Sequence, residues 1–412
     1  MRYTKQIFFL ATLLLFVVGS TTNIRADAVT DWNAIGASAV VTGGRGPGGF
    51  VDLAYMHIAM YDAVNAIDGR YTVFAVSPSN IPPGASQDAA AVAAAYTVLL
   101  TLFPAQQSTF DARYAASLAA IPDGQAKTDG LAVGTETALL FLASRAGDGR
   151  NAPITYTPGS GPGAWILTPP GFLPPLVVWM GQMRPFAMET SSQFRADPPP
   201  SLTSDQYTLD LNEVKSLGAI NSTTRTAQQT ETGLFYTDPA PAQTARAFRQ
   251  VAQEYPMNLA DDARLFAMLY VAVADSAIAS VETKYHYGFW RPITAIRNAD
   301  TDGNPDTIAD PTWTPLAPTP NYPDYVSTHS AVWGGFSETL RQFFGTKFVN
   351  FTMTSVVTGT AHHFTNTDDI NKEIIDARVY VGFHFRTADV HGVVMGKKVG
   401  RYLAKNYFLP VE

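Results

Sequence analysis

Three islands of polar residues between Lys284 and His384 carry the side chains of this chain that could do chemistry together. The first is Lys284-Tyr285-His286-Tyr287-Gly288-Phe289-Trp290-Arg291-Pro292, the second Ser327-Thr328-His329, and the third Arg378 with His384 six residues further on. Lysine and arginine bring permanent cations, arginine in a planar fork that matches oxyanions. Serine adds a hydroxyl, and the two imidazoles can move protons or bond an electron-poor centre near neutral pH. Three cations, one hydroxyl and two imidazoles suit a tetrahedral, multiply charged oxyanion.

Each island also has a plain structural explanation. Lys284 and Arg291 would ordinarily be read as a solvated charged face, but Tyr285, Tyr287, Phe289 and Trp290 around them argue for burial, and buried cations need an anion. Their spacing is two helical turns, so a helix running on to Trp290 sends both heads out of one face before Pro292 ends it. Ser327 reads equally as a helix cap, and a helix starting there would offer free N–H groups and its positive dipole end. Arg378 and His384 fall in one apolar stretch, Ile370 to Phe385. On a continuous helix they diverge by about 120°, so only the long arginine lets both reach one ligand. A histidine on such a helix is commonly a satisfied core residue.

The elements that must position these residues read as helices. Apolar residues recur at helical spacing over Val51 to Ile67, Ser86 to Leu102, Ser108 to Ala120, Gly124 to Arg145, Thr244 to Gln253, Leu259 to Tyr287, Ser330 to Phe344, Ile370 to Phe385 and Val390 to Tyr407. No long region shows the alternation of a sandwich or barrel. Two Pro/Gly-rich stretches, Asn151 to Pro200 and Thr301 to Pro323, exclude helix and are too long for ordinary connections. The expected fold is all-α, a helical bundle with long irregular loops. A soft boundary after Pro200 divides residues 29–200, an N-terminal helical region, from residues 201–412, the C-terminal region carrying the anion-binding motifs. Leu259 to Tyr287 is apolar enough to suggest a bilayer span, but Asp261, Asp262, Arg264, Asp275 and Glu282 interrupt it, so a buried core helix is expected.

Residues 1–28 read as a secretory signal: a basic start, an apolar run from Ile7 to Gly19, and the small-x-small pattern Ala26-Asp27-Ala28. Export to the periplasm or the exterior is expected, with no membrane span in the mature chain. Three basic residues and one acidic residue leave with the leader, taking the formal charge from −7 to −9. That balance argues against nucleic acid or an anionic membrane as partner, and makes any anion site a local positive pocket in a negative field. Cysteine is absent, which excludes disulfides, thiolate catalysis and cysteine-ligated metal.

Three weaker signals read as scaffold. Asn298 to Asp306 alternates oxygen ligands like a calcium loop but lacks its terminal glutamate, so a polar turn is expected. His362-His363 with Asp368 and Asp369 fits no trusted metal spacing and is assigned to a surface loop. Gly43 to Gly49 lacks the Lys-Ser/Thr sequel of a phosphate loop and reads as a turn before the first long helix.

The order Lys-x6-Arg-Pro, Ser-x-His, Arg-x5-His resembles the three-part signature shared by vanadium-dependent haloperoxidases and the type 2 phosphatidic acid phosphatase superfamily, including bacterial class A acid phosphatases. The resemblance covers residues 284–384 and implies the helical bundle of the vanadium chloroperoxidase and acid phosphatase type. It implies vanadate as cofactor, with phosphate able to occupy the same site. Lys284, Arg291, Ser327, Thr328 and Arg378 would hold the oxygens, His384 would ligate vanadium, and His329 would be the general acid/base. Lys284 would also polarise the oxidant. Hydrogen peroxide, halide and an organic acceptor are the implied partners. In the phosphatase alternative a phosphate ester is the substrate and His384 is transiently phosphorylated, and a third alternative is a non-catalytic anion-binding protein. Three departures stand out. Thr328 occupies a position usually glycine, Ala377 replaces a serine before Arg378, and the acidic residue expected four places after His384 is Ala388, with Asp389 one further on. Tyr322, seven before His329, resembles the aromatic of chloride-type members.

Overall fold

A computed structural model describes residues 27–411. The leader expected over residues 1–28 lies outside them, save Asp27 and Ala28 at the start of the first helix. Among the described residues are thirteen α-helices and one hairpin: α1 (Ala28–Thr42), α2 (Gly49–Asp68), α3 (Gln87–Leu102), α4 (Gln107–Ala119), α5 (Gln125–Ser144), α6 (Asp205–Leu217), α7 (Ala227–Phe235), α8 (Ala240–Glu254), α9 (Leu259–Tyr287), α10 (Pro292–Arg297), α11 (Thr328–Phe344), β1 (Phe351–Thr354), β2 (Ala361–Phe364), α12 (Thr367–Tyr380) and α13 (Arg386–Asn406). The all-α expectation holds.

The helix starts follow from local chemistry. Asp27, Ser86, Ser204, Thr226, Asn258, Ser327 and Asn366 each cap a helix by accepting a first-turn backbone N–H. At α7 the cap is reciprocal, because Gln229 returns a bond to the Thr226 backbone. The 29-residue α9 runs through the middle of the molecule, packed by α2, α11 and α13. Its most apolar window is 94% buried, so its hydrophobicity serves the core. Each of Leu265, Phe266 and Leu269 is fully buried there, an effect of about 1.5–3 kcal/mol per side chain. One continuous set of buried apolar residues runs from Val29 to Phe408 and joins both halves of the chain.

Two packing devices bear on the site. Helices α11 and α13 meet backbone to backbone: a Cβ at Gly396 would lie 1.9 Å from the Ala331 carbonyl oxygen, and one at Gly392 would lie 2.6 Å from that of Ser327. That contact fixes the N-terminal half of α13 against the start of α11. Buried carboxylates hold the irregular stretches. Asp275 on α9 accepts from the N–H groups of Phe186, Ala187 and Met188 at 2.8–3.0 Å. Asp62 on α2 does the same for Phe74, Ala75 and Val76. The 298–306 segment forms the expected polar turn, in which Asp302 and Asn304 bond the backbone two residues on.

Several sequence expectations need correction. Helices α1, α6, α7 and α10 escape the apolar-periodicity reading, α6 and α7 because they are short and largely polar. His362 and His363 lie on β2 of an antiparallel hairpin, opposite Met353 and Thr352, and are not in a loop. Helix α9 ends at Tyr287 as its pattern does and does not run on to Trp290, whereas α12 stops at Tyr380, short of its apolar pattern. Both ends shape the site.

Candidate functional site

The chain turns at Gly288, which takes the left-handed conformation (φ 56°) after α9, and Arg291 becomes the residue before α10. Lys284 and Arg291 therefore do not share a helix face as the spacing suggested. Tyr322 brings them together: the Lys284 ammonium lies 4.7 Å and the Arg291 guanidinium 5.0 Å from its ring centroid. Lys284 Nζ also donates to the carbonyl oxygens of Pro323 (2.9 Å) and Asp324 (2.8 Å), and Arg291 Nε to that of Tyr322 (2.8 Å). The proline-rich segment before α11 is thus threaded between the two cations.

The second correction concerns His384. Helix α12 ends at Tyr380, Gly382 turns the chain with φ 79°, and His384 sits in the connection to α13 rather than on a helix with Arg378. The angular divergence computed for a continuous helix disappears, and both side chains face the cations. Arg291 Nη1 donates to Phe383 O at 2.9 Å and lies 3.2 Å from His384 Nε2. Arg378 Nη1 donates to Tyr236 O at 3.0 Å, and its guanidinium lies 4.8 Å from the Phe383 ring.

Ser327 caps α11, and its Oγ accepts from Ser330 N at 3.4 Å. Thr328 opens the helix without positive φ, so a β-branched residue is accommodated there without backbone strain. Its hydroxyl accepts from Ser280 on α9 at 2.9 Å, leaving the first-turn N–H groups as the α11 donors toward the cage. His329 follows, half-buried, on the wall of a cavity of about 530 Å³ that also exposes Tyr322, Arg378 and Phe383. Pro47, Pro239, Pro241, Pro318 and Pro320 make much of the remaining wall. All seven residues expected from the sequence thus converge, and Lys284, Arg291, Ser327, Thr328, Arg378 and His384 are buried.

Two carboxylates that the sequence reading did not assign complete the site. Asp324 is fully buried, with Oδ1 2.8 Å from His384 Nδ1 and 3.7 Å from Arg291 Nη1. The carboxylate stands beside Nδ1 without a hydrogen bond of good geometry, while Arg291 Nη1 approaches both ring nitrogens, 3.5 Å from Nδ1 and 3.2 Å from Nε2. The signal for Asp324 is its place three residues before Ser327, but no spacing rule connects it to a histidine sixty positions away. Asp389, one place beyond the expected acidic position, is buried in the first turn of α13 and accepts from Ser330 Oγ at 2.8 Å.

Burial and charge shift both histidines, Lys284 and Asp324. Desolvation, reinforced by Arg378, Lys284 and Arg291, holds His329 well below its ordinary value. His384 is lowered for the same reasons, with Arg291 its main charged neighbour. Burial also drives Lys284 well below the usual lysine range, with Arg291 adding to the effect. Burial pushes Asp324 up to about 7, against the pull of Arg291 and Lys284. Both imidazoles are therefore neutral near pH 7.

The donor set fits an oxyanion. Arg291 Nη2 and Arg378 Nε are buried without a protein partner, a costly state unless a ligand accepts from them. Three cations face two buried carboxylates, so an anion would improve the local balance. His384 Nε2 adds one neutral nitrogen able to bond the central atom.

An all-helical scaffold with a buried cation cage, two imidazoles and a carboxylate behind one of them suits the binding of an oxyanion. Comparison with known proteins shows what the chain is similar to. Residues 264–409 match the model of the VCPO second helical-bundle domain. Vanadium chloroperoxidase of Curvularia inaequalis is 30% identical over 187 residues, which span 37% of this chain and 30% of that protein. A bacterial vanadium-dependent iodoperoxidase superposes with a TM-score of 0.78 at 22% identity, covering 93% of this chain and 96% of the other. The apo form of a bacterial vanadium-dependent chloroperoxidase gives 0.70 at 16% identity, covering 86% and 91%. Residues 264–409 are thus similar to the second helical-bundle domain of vanadium chloroperoxidases, the chain spans less than a third of the length of the curated relative it matches, and its overall fold is that of the bacterial vanadium-dependent haloperoxidases.

Proposed function

We propose that this chain is a vanadate-dependent haloperoxidase that oxidises halide with hydrogen peroxide to a hypohalous species. The observation that carries the reading is the pair of buried, unpartnered guanidinium donors, Arg291 Nη2 and Arg378 Nε, in a cage that also holds the buried His384, with the Asp324 carboxylate 2.8 Å from its Nδ1. Lys284, Arg291 and Arg378 would hold the anion's oxygens with the Ser327 hydroxyl and the Thr328 N–H, and His384 Nε2 would ligate vanadium. Vanadate, when bound, supplies a Lewis-acidic centre that activates hydrogen peroxide toward halide.

The protein groups divide the remaining work. Lys284, desolvated and anchored on two carbonyls, polarises the oxidant bound against it. His329, neutral and on the cavity wall, takes a proton from incoming peroxide and returns it to the departing oxygen. The proline-lined cavity admits peroxide and halide and has room for an organic acceptor. The similarity to halide-oxidising relatives supports this chemistry. The composition of residues 1–28 supports export, which N-terminal sequencing of secreted protein would test.

The same cage favours one other reading. A histidine nitrogen freed by a carboxylate behind the ring is also an activated nucleophile, as an acid phosphatase needs. Purified apoprotein reconstituted with vanadate should brominate a phenolic dye with peroxide, and the vanadate-free apoprotein, assayed separately, should hydrolyse p-nitrophenyl phosphate weakly. Hydrolysis without bromination would replace the proposal with the phosphatase, and silence in both with tight anion binding would leave a binding protein. His384→Ala should abolish vanadate retention, whereas His329→Ala should keep it and lose about 100-fold or more in turnover. Wild-type turnover in either variant would refute the assignment.

A further inference from the structure

His362 occupies an unusual position for a histidine that no catalytic role requires. Its ring lies flat on Phe235 at the end of α7, with centroids 3.8 Å apart and planes 11° apart. Nδ1 is 2.6 Å from Glu373 Oε1 on α12, and Nε2 is 3.1 Å from Glu231 Oε2 on α7. A neutral imidazole has one donor and one acceptor, so it would set a lone pair against one of these carboxylates. The imidazolium donates at both nitrogens, and the two carboxylates on opposite sides of the ring require that form.

The clamp leads to the cage through one residue. Glu373 Oε1 also accepts from Tyr236 Oη at 2.8 Å, and the Tyr236 carbonyl accepts from Arg378 Nη1 at 3.0 Å. Tyr236 opens the segment that walls the cavity as far as Pro241, and its ring packs edge-on against Trp333 of α11. The far end of that wall is tied to the same hairpin: Asp238 accepts from Val356 N at 2.8 Å and pairs with Arg246. His362 thus joins β2, α7 and α12 beneath the carbonyl that orients Arg378.

We propose that His362, as an imidazolium bridging Glu231 and Glu373, is a positioning residue for Arg378, and that loss of its proton weakens oxyanion binding without its touching the anion. The inference rests on the oxyanion-cage reading of the site. The charged and titratable groups against the ring are Glu231 from α7 and Glu373 from α12, with Tyr236 reached through Glu373, while β1 presents only Met353 opposite it. Burial opposes the charge on His362, but the Glu373 hydrogen bond, with the charges of Glu373 and Glu231, outweighs it, so the imidazole titrates above its ordinary value. The sign follows. The raised value makes the clamp's contribution complete in acid, and that contribution disappears as pH rises through the His362 titration.

Tungstate is a suitable probe, since in dilute solution from about pH 6.5 upward it stays a monomeric dianion and no turnover is needed. Its Kd is measured calorimetrically between about pH 6.5 and 9 for the wild type, for His362→Gln and for Glu231→Gln, which breaks one side of the clamp. Titrations of Lys284, His329 and His384 are common to all three proteins, so the difference in pH slope belongs to His362. The wild type should lose at least about 5-fold more affinity across the range than His362→Gln, with the two converging at the alkaline end. Nitrogen-15 spectra of the wild type should show both His362 ring nitrogens protonated at neutral pH. Equal slopes in wild type and His362→Gln, or a His362 that titrates below an ordinary histidine, overturn the proposal while leaving the cage intact. Failure of the wild type to bind tungstate overturns the cage reading and this inference together.

Discussion

A single carboxylate decides how His384 presents itself to a ligand. The Asp324 carboxylate 2.8 Å from Nδ1 and the Arg291 guanidinium 3.2 Å from Nε2 favour a proton on Nδ1. Asp324→Asn keeps the shape but removes the charge that fixes the proton, so vanadate affinity should fall by about 10–100-fold. Equilibrium dialysis would detect this, and an unchanged affinity would show that His384 orients itself. A second prediction concerns protons. After desolvation, the cations of the cage are what hold His329 down, and a bound anion cancels their field. The His329 value then rises, so anion binding takes up protons. Calorimetry with tungstate at about pH 6 in buffers of different ionisation enthalpy should show uptake, and proton release would contradict the assigned electrostatics.

The sequence and the structure part company most at the ends of elements. The residue types of the cage are legible because Lys, Arg, Ser and His in three islands make a recognisable donor set. The means of convergence is not legible, because the spacing of Lys284 and Arg291 suits a helix continued past Gly288 and the apolar pattern of α12 runs on past Gly382, where the chain actually turns. Asp324 was invisible because its partner is distant in sequence, and α6 and α7 because their outer faces are polar. The Gly382 turn is testable. An L-residue at φ 79° is strained, and its Cβ would come within 2.6 Å of Gly218 O and 2.8 Å of Pro315 Cβ. Gly382→Ala should cost about 3 kcal/mol in denaturant unfolding and weaken anion binding more than halide access, because it moves His384. A variant of wild-type stability and affinity would mean that the connection adapts.

At the scale of the whole molecule, the cage gathers the ends of α9, α11 and α12 with the connections before α10 and α13. An anion bound there ties the helical layers to one another, and it removes the strain of collecting cations in a buried space. Binding to the folded chain alone stabilises it by about 2.7 kcal/mol at a hundredfold excess over Kd, a shift of several degrees in Tm for a chain of this size. Vanadate and inorganic phosphate should both raise Tm in a thermal-shift assay, and His384→Ala should blunt the response to vanadate more than to phosphate. Equal effects of both anions on that variant would argue against a direct bond to the central atom. The formal charge of −7 makes this pocket an exception on its own protein, so the response should be specific to anions that fit it.

An ammonium group has three hydrogens, and the backbone of Pro323 and Asp324 engages two of those on Lys284. One remains, with its direction set by the other two. A side chain known for freedom of movement is here made to point like a compass needle, so whichever ligand oxygen it meets is singled out from the others by position alone.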